Sequence, residues 1–257
     1  MRADYPILEF DPSQHAVIEP HMVRERLDVP IAAVPCFFLD VIQRVCVDTG
    51  AKLLTHLQSA HGAHPVYEIE WEGQPLAVYH PGVGAPLAAM FLEEIIETGC
   101  RVFVAVGGAG GLVPALTVGH VVVPTSAIRD EGTSYHYLTA GREIEPSPRA
   151  VGAIEKVLQG HRVPFVTGKV WTTDAPYRET RGKVERRVDE GCLAVEMEAA
   201  ALFAVAAFRG VEFGHILAAA DDLSQEQWDD RGFIPDTSVR ERLFWLAVEA
   251  AASVAPT

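Results

Sequence analysis

Val102-Phe103-Val104-Ala105-Val106-Gly107-Gly108-Ala109-Gly110-Gly111 is the stretch on which the fold turns. Five apolar residues in a row, with no polar alternation, predict a central strand covered on both faces. The four glycines that follow allow the backbone to approach a ligand closely or to take positive φ. The spacing fails the G-x-G-x-x-G register, and Pro114 stands where a helix would have to open, so this is not a dinucleotide fingerprint. No Gly-Lys-Ser/Thr follows either, which excludes a phosphate-cradling P-loop. Gly107 to Gly111 is therefore expected as a loop at the carboxyl end of a central strand, where open α/β sheets bind ligands.

Outward from this stretch, short apolar runs alternate with amphipathic ones. Toward the N-terminus, residues 31–34 read as a strand and residues 38–58 carry helical spacing, with Thr49-Gly50 as a break point. Residues 66–71 and 76–79 flank Glu72-Gly73-Gln74-Pro75 as a hairpin, and 87–97 form a helix. Toward the C-terminus, 118–123, 165–171 and 213–219 read as strands. Residues 149–158, 198–209 and 238–253 read as helices, the last with Ser238 as its N-cap. The pattern predicts an α/β class with a mostly parallel or mixed sheet and helices on its faces. The organisation expected is a single domain over 1–257, with an N-terminal extension to about residue 30.

Bulk properties exclude several function classes. A formal net charge of −14 repels phosphate backbones, so no nucleic-acid partner is expected. No apolar run approaches the roughly 20 residues that span a bilayer, and the first residues contain no signal-peptide core; no membrane partner and a cytoplasmic location are expected. Cys36, Cys46, Cys100 and Cys192 make no CxxC pair and read as small hydrophobes in a reducing compartment. His61 and His64 form an HxxH without nearby carboxylates or cysteines, so no metal site is expected.

Three further motifs could carry chemistry. His80-Pro81-Gly82-Val83-Gly84-Ala85-Pro86 runs from a strand into a helix start, where N–H groups can face a ligand. Val195-Glu196-Met197-Glu198 places two carboxylates where a helix begins; they complement the helix dipole or accept from a sugar diol. Ala220-Asp221-Asp222-Leu223 ends an apolar strand with adjacent acids, either an Asp-rich turn or a catalytic carboxylate.

Together and in this order, these motifs resemble those of the nucleoside phosphorylase superfamily, which contains uridine phosphorylase, purine nucleoside phosphorylase and the methylthioadenosine nucleosidases. Residues 128–137, Trp171-Thr172-Thr173-Asp174-Ala175-Pro176-Tyr177-Arg178 and the Glu-Met-Glu-Ala-Ala-Ala string from Glu196 extend the likeness. The resemblance implies a single α/β domain with a central, mixed, barrel-like sheet flanked by helices, assembled as a dimer, trimer or hexamer. It implies cleavage of a nucleoside, purine slightly favoured, to free base and ribose 1-phosphate, with phosphate as co-substrate and no cofactor. Asp221 would be the catalytic acid, and Glu196, Met197 and Glu198 would bind ribose. Ala109, Gly110, Trp171, Thr172 and Pro176 would line the base pocket. Gly84, Gly108, Arg129 and Arg178 would be left to hold the anion, and His15 or His21 would reach a neighbouring subunit's site.

The resemblance breaks at the phosphate. Phosphorylases hold it with a Gly-Asp-Pro-x-Arg loop after the first strand, whereas this chain has Pro35-Cys36-Phe37-Phe38-Leu39-Asp40. Ala105 stands where an arginine leads the glycine-rich stretch, and Gly108 replaces a hydroxyl residue. A dianion cannot leave water without several donors. Three readings follow: a phosphorylase whose anion site is rebuilt around Arg129, Arg178 or Arg231, a hydrolase using water, or a non-catalytic nucleoside binder.

Overall fold

A computed structural model describes residues 3–116, 119–231 and 237–255; Val118, where one strand was expected to begin, lies outside them. Ten strands and six α-helices are found among the described residues. The chain enters β1 (Ala32–Pro35) and α1 (Leu39–Asp48) and then forms an antiparallel meander of β2 (Lys52–Ser59), β3 (Gly62–Trp71) and β4 (Gln74–Tyr79). The β3–β4 turn is tight because Glu72 and Gly73 both take positive φ, 50° and 80°, as a two-residue hairpin of this hand requires. α1 does not run on to residue 58 as its spacing suggested. It ends before Gly50 (φ +63°), and Leu53 and Leu57 belong to β2. A spacing of four satisfies both a helix and a strand, so that pair could not decide between them.

α2 (Ala85–Thr98) leads into β5 (Val102–Gly111), the hub of the sheet. β5 runs parallel to β10 (Glu212–Asp222) from end to end, parallel to β1 at its start and antiparallel to β9 (Cys192–Glu196) at its finish. β6 (Val121–Asp130) lies antiparallel to β10 and parallel to β8 (Phe165–Thr173), and β8 lies parallel to β9. β5, β10, β6, β8 and β9 thus close into a mixed five-stranded barrel, with β1, β4, β3 and β2 continuing outside it and the short β7 (Glu143–Ile144) pairing β6. Gly107 to Gly111 are therefore strand, not loop: β10 pairs all five, and closing the barrel adds β9 beside Gly110 and Gly111.

Alternation along the central strands divides the core into two layers. Val104, Val106, Ile216 and Ala218 face α1, α3 (Pro148–Gly160) and α6 (Thr237–Val254). Phe103, Ala105, Phe213 and Leu217 face α2 and α5 (Ala199–Arg209). Each large apolar side chain buried this way contributes roughly 1.5–3 kcal/mol. α4 (Arg181–Asp189) connects β8 to β9 and packs Val184 near Trp171. Ser238 lies inside the first turn of α6 rather than ahead of it. Cys36, Cys100 and Cys192 are buried and all four cysteines are free thiols; burial pushes the Cys36 thiol up to about 12. No helix among the described residues is long and apolar enough to cross a membrane.

Candidate active site

The carboxyl ends of β5, β9 and β10 converge on a cavity of about 320 Å³, a size suited to a small metabolite. Gly108, Ala109, Gly110, Pro176, Glu196, Met197, Glu198 and Asp221, drawn from four separate motifs, all line it. So do Phe37, from the segment where the resemblance puts the phosphate loop, and Glu179 and His215, which sequence reasoning had not placed in a site. A larger groove of about 950 Å³ runs between the N-terminal segment and α2, touching His15, Glu19 and Met90. Apart from His15 it holds none of the candidate site residues, so volume is a poor guide here. His15 and His21 are exposed on that N-terminal segment and do not line the smaller cavity.

The two glutamates at the β9–α5 junction do different work. Glu196 Oε2 accepts the backbone N–H groups of Glu198 and Ala199, at 2.7 and 2.6 Å, and so satisfies orphan donors at the start of α5. Its Oε1 accepts the Thr172 hydroxyl at 2.5 Å, and that hydroxyl in turn accepts the Ala200 N–H at 3.0 Å. Glu198 reaches across to the start of α2, where its Oε1 accepts the Gly84 N–H at 2.6 Å. That donor is thereby taken by an internal carboxylate. Burial pushes both carboxyls up, and for Glu198 the neighbouring charge of Glu196 adds to it.

At the other wall, the β5 glycines make room. A Cβ on Gly110 would stand 2.5 Å from Leu223 Cδ1, 3.1 Å from Val195 Cγ1 and 3.2 Å from Asp221 Oδ1. One on Gly107 would stand 3.0 Å from the Phe37 ring. The register between β5 and β10 slips between Ala219 and Asp221, a bulge of the kind that re-aims side chains at sites. Asp221 accordingly lines the cavity, its Oδ2 accepting the Trp228 indole N–H at 2.7 Å. Asp222 pairs with Arg231 instead and accepts the Ser224 N–H. Glu179 shares the wall with Asp221; burial, and then the charge of Asp221, push its carboxyl up to about 7.

Phe37 and His215 form a stacked pair on the cavity wall, their rings 5.8 Å apart. His215 is 1% exposed, and neither ring nitrogen meets a protein partner among the described residues. Burial lowers its imidazole to about 3, so it is neutral at physiological pH. An unpaired buried polar group costs about 1–3 kcal/mol, which makes this histidine an expensive occupant of an apolar strand.

The remaining candidates lie off the wall. Trp171 is fully buried, donates its indole N–H to Asp130 Oδ2 at 3.0 Å and packs beneath Arg187. Thr172 is fully buried and acts on the site only through Glu196. Arg129 is held by Ser134 Oγ and the carbonyls of Thr139 and Leu138, and its guanidinium sits 4.4 Å from the Tyr135 ring centre. Arg178 is exposed on the turn after β8, and Arg231 also donates to the Leu116 carbonyl at 2.6 Å. Among the described residues, the cavity wall carries four carboxylates and no lysine or arginine.

Comparison with known proteins identifies the family. Residues 41–243 match the family model described as the phosphorylase superfamily. The chain is 29% identical to the guanosine phosphorylase of Halorubrum lacusprofundi over 80% of its own length and 84% of that protein. Its fold resembles the crystal structure of uridine phosphorylase from Vibrio fischeri, with a TM-score of 0.77 at 24% identity, over 91% of this chain and 97% of that one. It also resembles AMP nucleosidase from Bacteroides thetaiotaomicron, with a TM-score of 0.73 at 21% identity, over 88% and 89% of the two chains. With four motifs gathered on one cavity and a family match over most of its length, the chain belongs to the phosphorylase superfamily.

Proposed function

We propose that the cavity cleaves the N-glycosidic bond of a purine nucleoside, with water as the acceptor. The observation that carries the choice of acceptor is the wall itself: Glu179, Glu196, Glu198 and Asp221 with no cationic side chain among its described residues. A phosphate dianion needs several donors to leave water, and here it would meet carboxylates instead. A nucleoside and a water molecule are neutral and meet no such barrier.

The same groups suit the chemistry. As the C1′–N9 bond breaks, the sugar gains positive charge and the base keeps the electron pair. Glu198, with Glu196 behind it, supplies negative charge where the sugar turns cationic. Asp221 stands at the base end, with Glu179 beside it. With its carboxyl pushed up to about 7, Glu179 holds a proton in part of the molecules near neutral pH, available to the departing base. Homo-oligomer assembly and a cytoplasmic location belong to the same proposal; family membership supports the first and the predicted reducing compartment the second.

Phosphorolysis is the second reading, favoured by relatives such as the guanosine phosphorylase of Halorubrum lacusprofundi. One assay separates the two: base release from a nucleoside panel, with and without inorganic phosphate. Equal release in both supports hydrolysis. Release only with phosphate, accompanied by ribose 1-phosphate, overturns it.

A further inference from the structure

We infer that Trp228 is a positioning residue: its indole N–H pins one oxygen of Asp221 from outside the cavity and so fixes the other for the departing base. The inference rests on the part of the reading above that puts Asp221 at the base end, and not on the choice of acceptor. Asp221 lines the cavity and Trp228 does not. The indole nitrogen donates to Asp221 Oδ2 at 2.7 Å, the length of a bond to a carboxylate. Oδ1 makes no hydrogen bond with a described residue and lies beside Gly110, where an added Cβ would stand 3.2 Å from it. Gly110 is itself part of the cavity wall. The carboxylate is thus held through one oxygen, by a residue off the wall, and unengaged at the other.

The chain around Trp228 is built to hold it there. Asp222 and Asp229 exchange a pair of backbone hydrogen bonds, at 2.8 and 3.2 Å, so the turn that leaves β10 closes back on its own root. Arg231 ties the closed end to the Asp222 carboxylate and the Leu116 carbonyl, and Arg181 donates to the carbonyls of Leu223 and Gln225. Trp228 immediately precedes Asp229, and the closure carries it back to Asp221. Packing does not account for an indole at this place: Trp228 is 67% exposed and joins none of the apolar clusters. What it contributes is the N–H. An indole is a donor with no acceptor, so it takes Oδ2 as the bare oxygen and leaves Oδ1 as the one that meets the base. A carboxyl turned about its own bond would exchange the two, and misplacing a reacting group by about 1 Å can cost on the order of 100-fold in rate.

The test reads kcat and KM for purine release, with and without phosphate, and Tm. It compares Trp228→Phe, Trp228→His, Asp221→Ala and the double variant of Trp228→Phe with Asp221→Ala, each in the full chain. Trp228→Phe keeps an aromatic ring and removes the N–H. Its kcat should fall by about tenfold while KM stays within about twofold and Tm within about 2 °C. Trp228→His should recover most of that loss, because Nε2 of its five-membered ring stands where the indole nitrogen stood and can donate the same bond. In the Asp221→Ala background, itself slower by about 100-fold or more, Trp228→Phe should change kcat by less than about twofold, since the partner of the N–H is gone. An equal loss in both backgrounds overturns the inference, because the indole would then act elsewhere. So does a Trp228→His variant as slow as Trp228→Phe, which would give the role to the size of the ring. A Trp228→Phe kcat within about twofold of wild type, beside a slow Asp221→Ala, overturns the inference alone. Asp221→Ala that leaves the rate unchanged, or wild-type protein that releases no base, overturns the reading of the site and this inference together.

Discussion

Thr172→Val tests whether the site is held from behind. The side chain is fully buried, and its hydroxyl serves two partners at once: it donates to Glu196 Oε1 at 2.5 Å and accepts from the Ala200 N–H at 3.0 Å. Valine has nearly the same shape, so the cavity term is small, but both partners are left behind without theirs. Losing a hydrogen bond to a carboxylate costs about 1.5–3 kcal/mol, and stranding a buried N–H adds roughly another 1 kcal/mol. The expected loss is about 3 kcal/mol when Glu196 is ionised, or roughly 6–12 °C in Tm for a chain of this size. The loss should depend on pH with a definite sign. Burial already raises the Glu196 carboxyl, and the Thr172 hydroxyl opposes that rise by favouring the charged form. Removing it raises the carboxyl further. A group raised in the folded state contributes stability at acid pH that is lost as pH climbs through its folded value. The Tm deficit of the variant should therefore widen from pH 5 to pH 8. Calorimetric scans of both proteins at the two pH values decide the matter. A deficit below about 1 kcal/mol at pH 8, or one that is larger at pH 5, would refute the role given to this hydroxyl.

Four other perturbations follow from the same geometry. Asp221→Asn should slow purine release by about 100-fold or more, and an unchanged rate removes Asp221 from the chemistry. Glu198→Ala should weaken ribosides about tenfold more than free bases, measured as Kd by calorimetry; equal losses would exclude a sugar contact. Gly110→Ala forces a Cβ to within 2.5 Å of Leu223 Cδ1 and should cost roughly 1–3 kcal/mol by urea denaturation, whereas a neutral change would mean the wall is soft. Glu198→Gln mimics the protonated carboxyl that burial and Glu196 favour. It should therefore gain on the wild type as pH rises from 5 to 8, by up to about 1.4 kcal/mol per pH unit, and a constant difference across that range contradicts the raised carboxyl.

The barrel was legible where hydrophobic pattern alone dictates structure. The apolar run 102–106, the hairpin around Glu72-Gly73 and the Ala-rich α5 all lie where their periodicities placed them. What failed was local reading of residues whose role depends on distant neighbours. Gly107 to Gly111 suggested a loop, yet β10 and β9 pair them, and their missing Cβ atoms admit Phe37, Leu223 and Asp221. Glu196 looked like a sugar ligand or a helix-start acid; its hydrogen bonds go to the helix start and to Thr172. Trp171 sat in the right motif, but strand alternation turns it to the α4 side. Glu179 followed directly on a motif already noted and could have been found from it. His215 gave no signal, because a lone histidine in an apolar strand is ordinary until both of its nitrogens prove unpaired.

In the hydrolytic reading proposed above, the crowding of carboxylates lets one wall disfavour phosphate and still promote cleavage. Against a neutral nucleoside the four acids gain little, and crowding keeps protons among them. As the glycosidic bond stretches, a positive charge appears on the sugar beside Glu198 and draws that group toward its ionised form. At about 4 Å and the effective dielectric of a protein surface, such a pair is worth up to about 4 kcal/mol. The gain arises in the transition state and hardly at all in the ground state, and only such differential binding accelerates the chemical step. An anionic acceptor would spoil this from the start, since it would compete with the sugar for a wall built to face positive charge. The chain's formal net charge of −14 disfavours its approach as well. A neutral acceptor leaves the acids' field directed at the sugar, and the Phe37–His215 pair supplies a part of the wall that carries no formal charge.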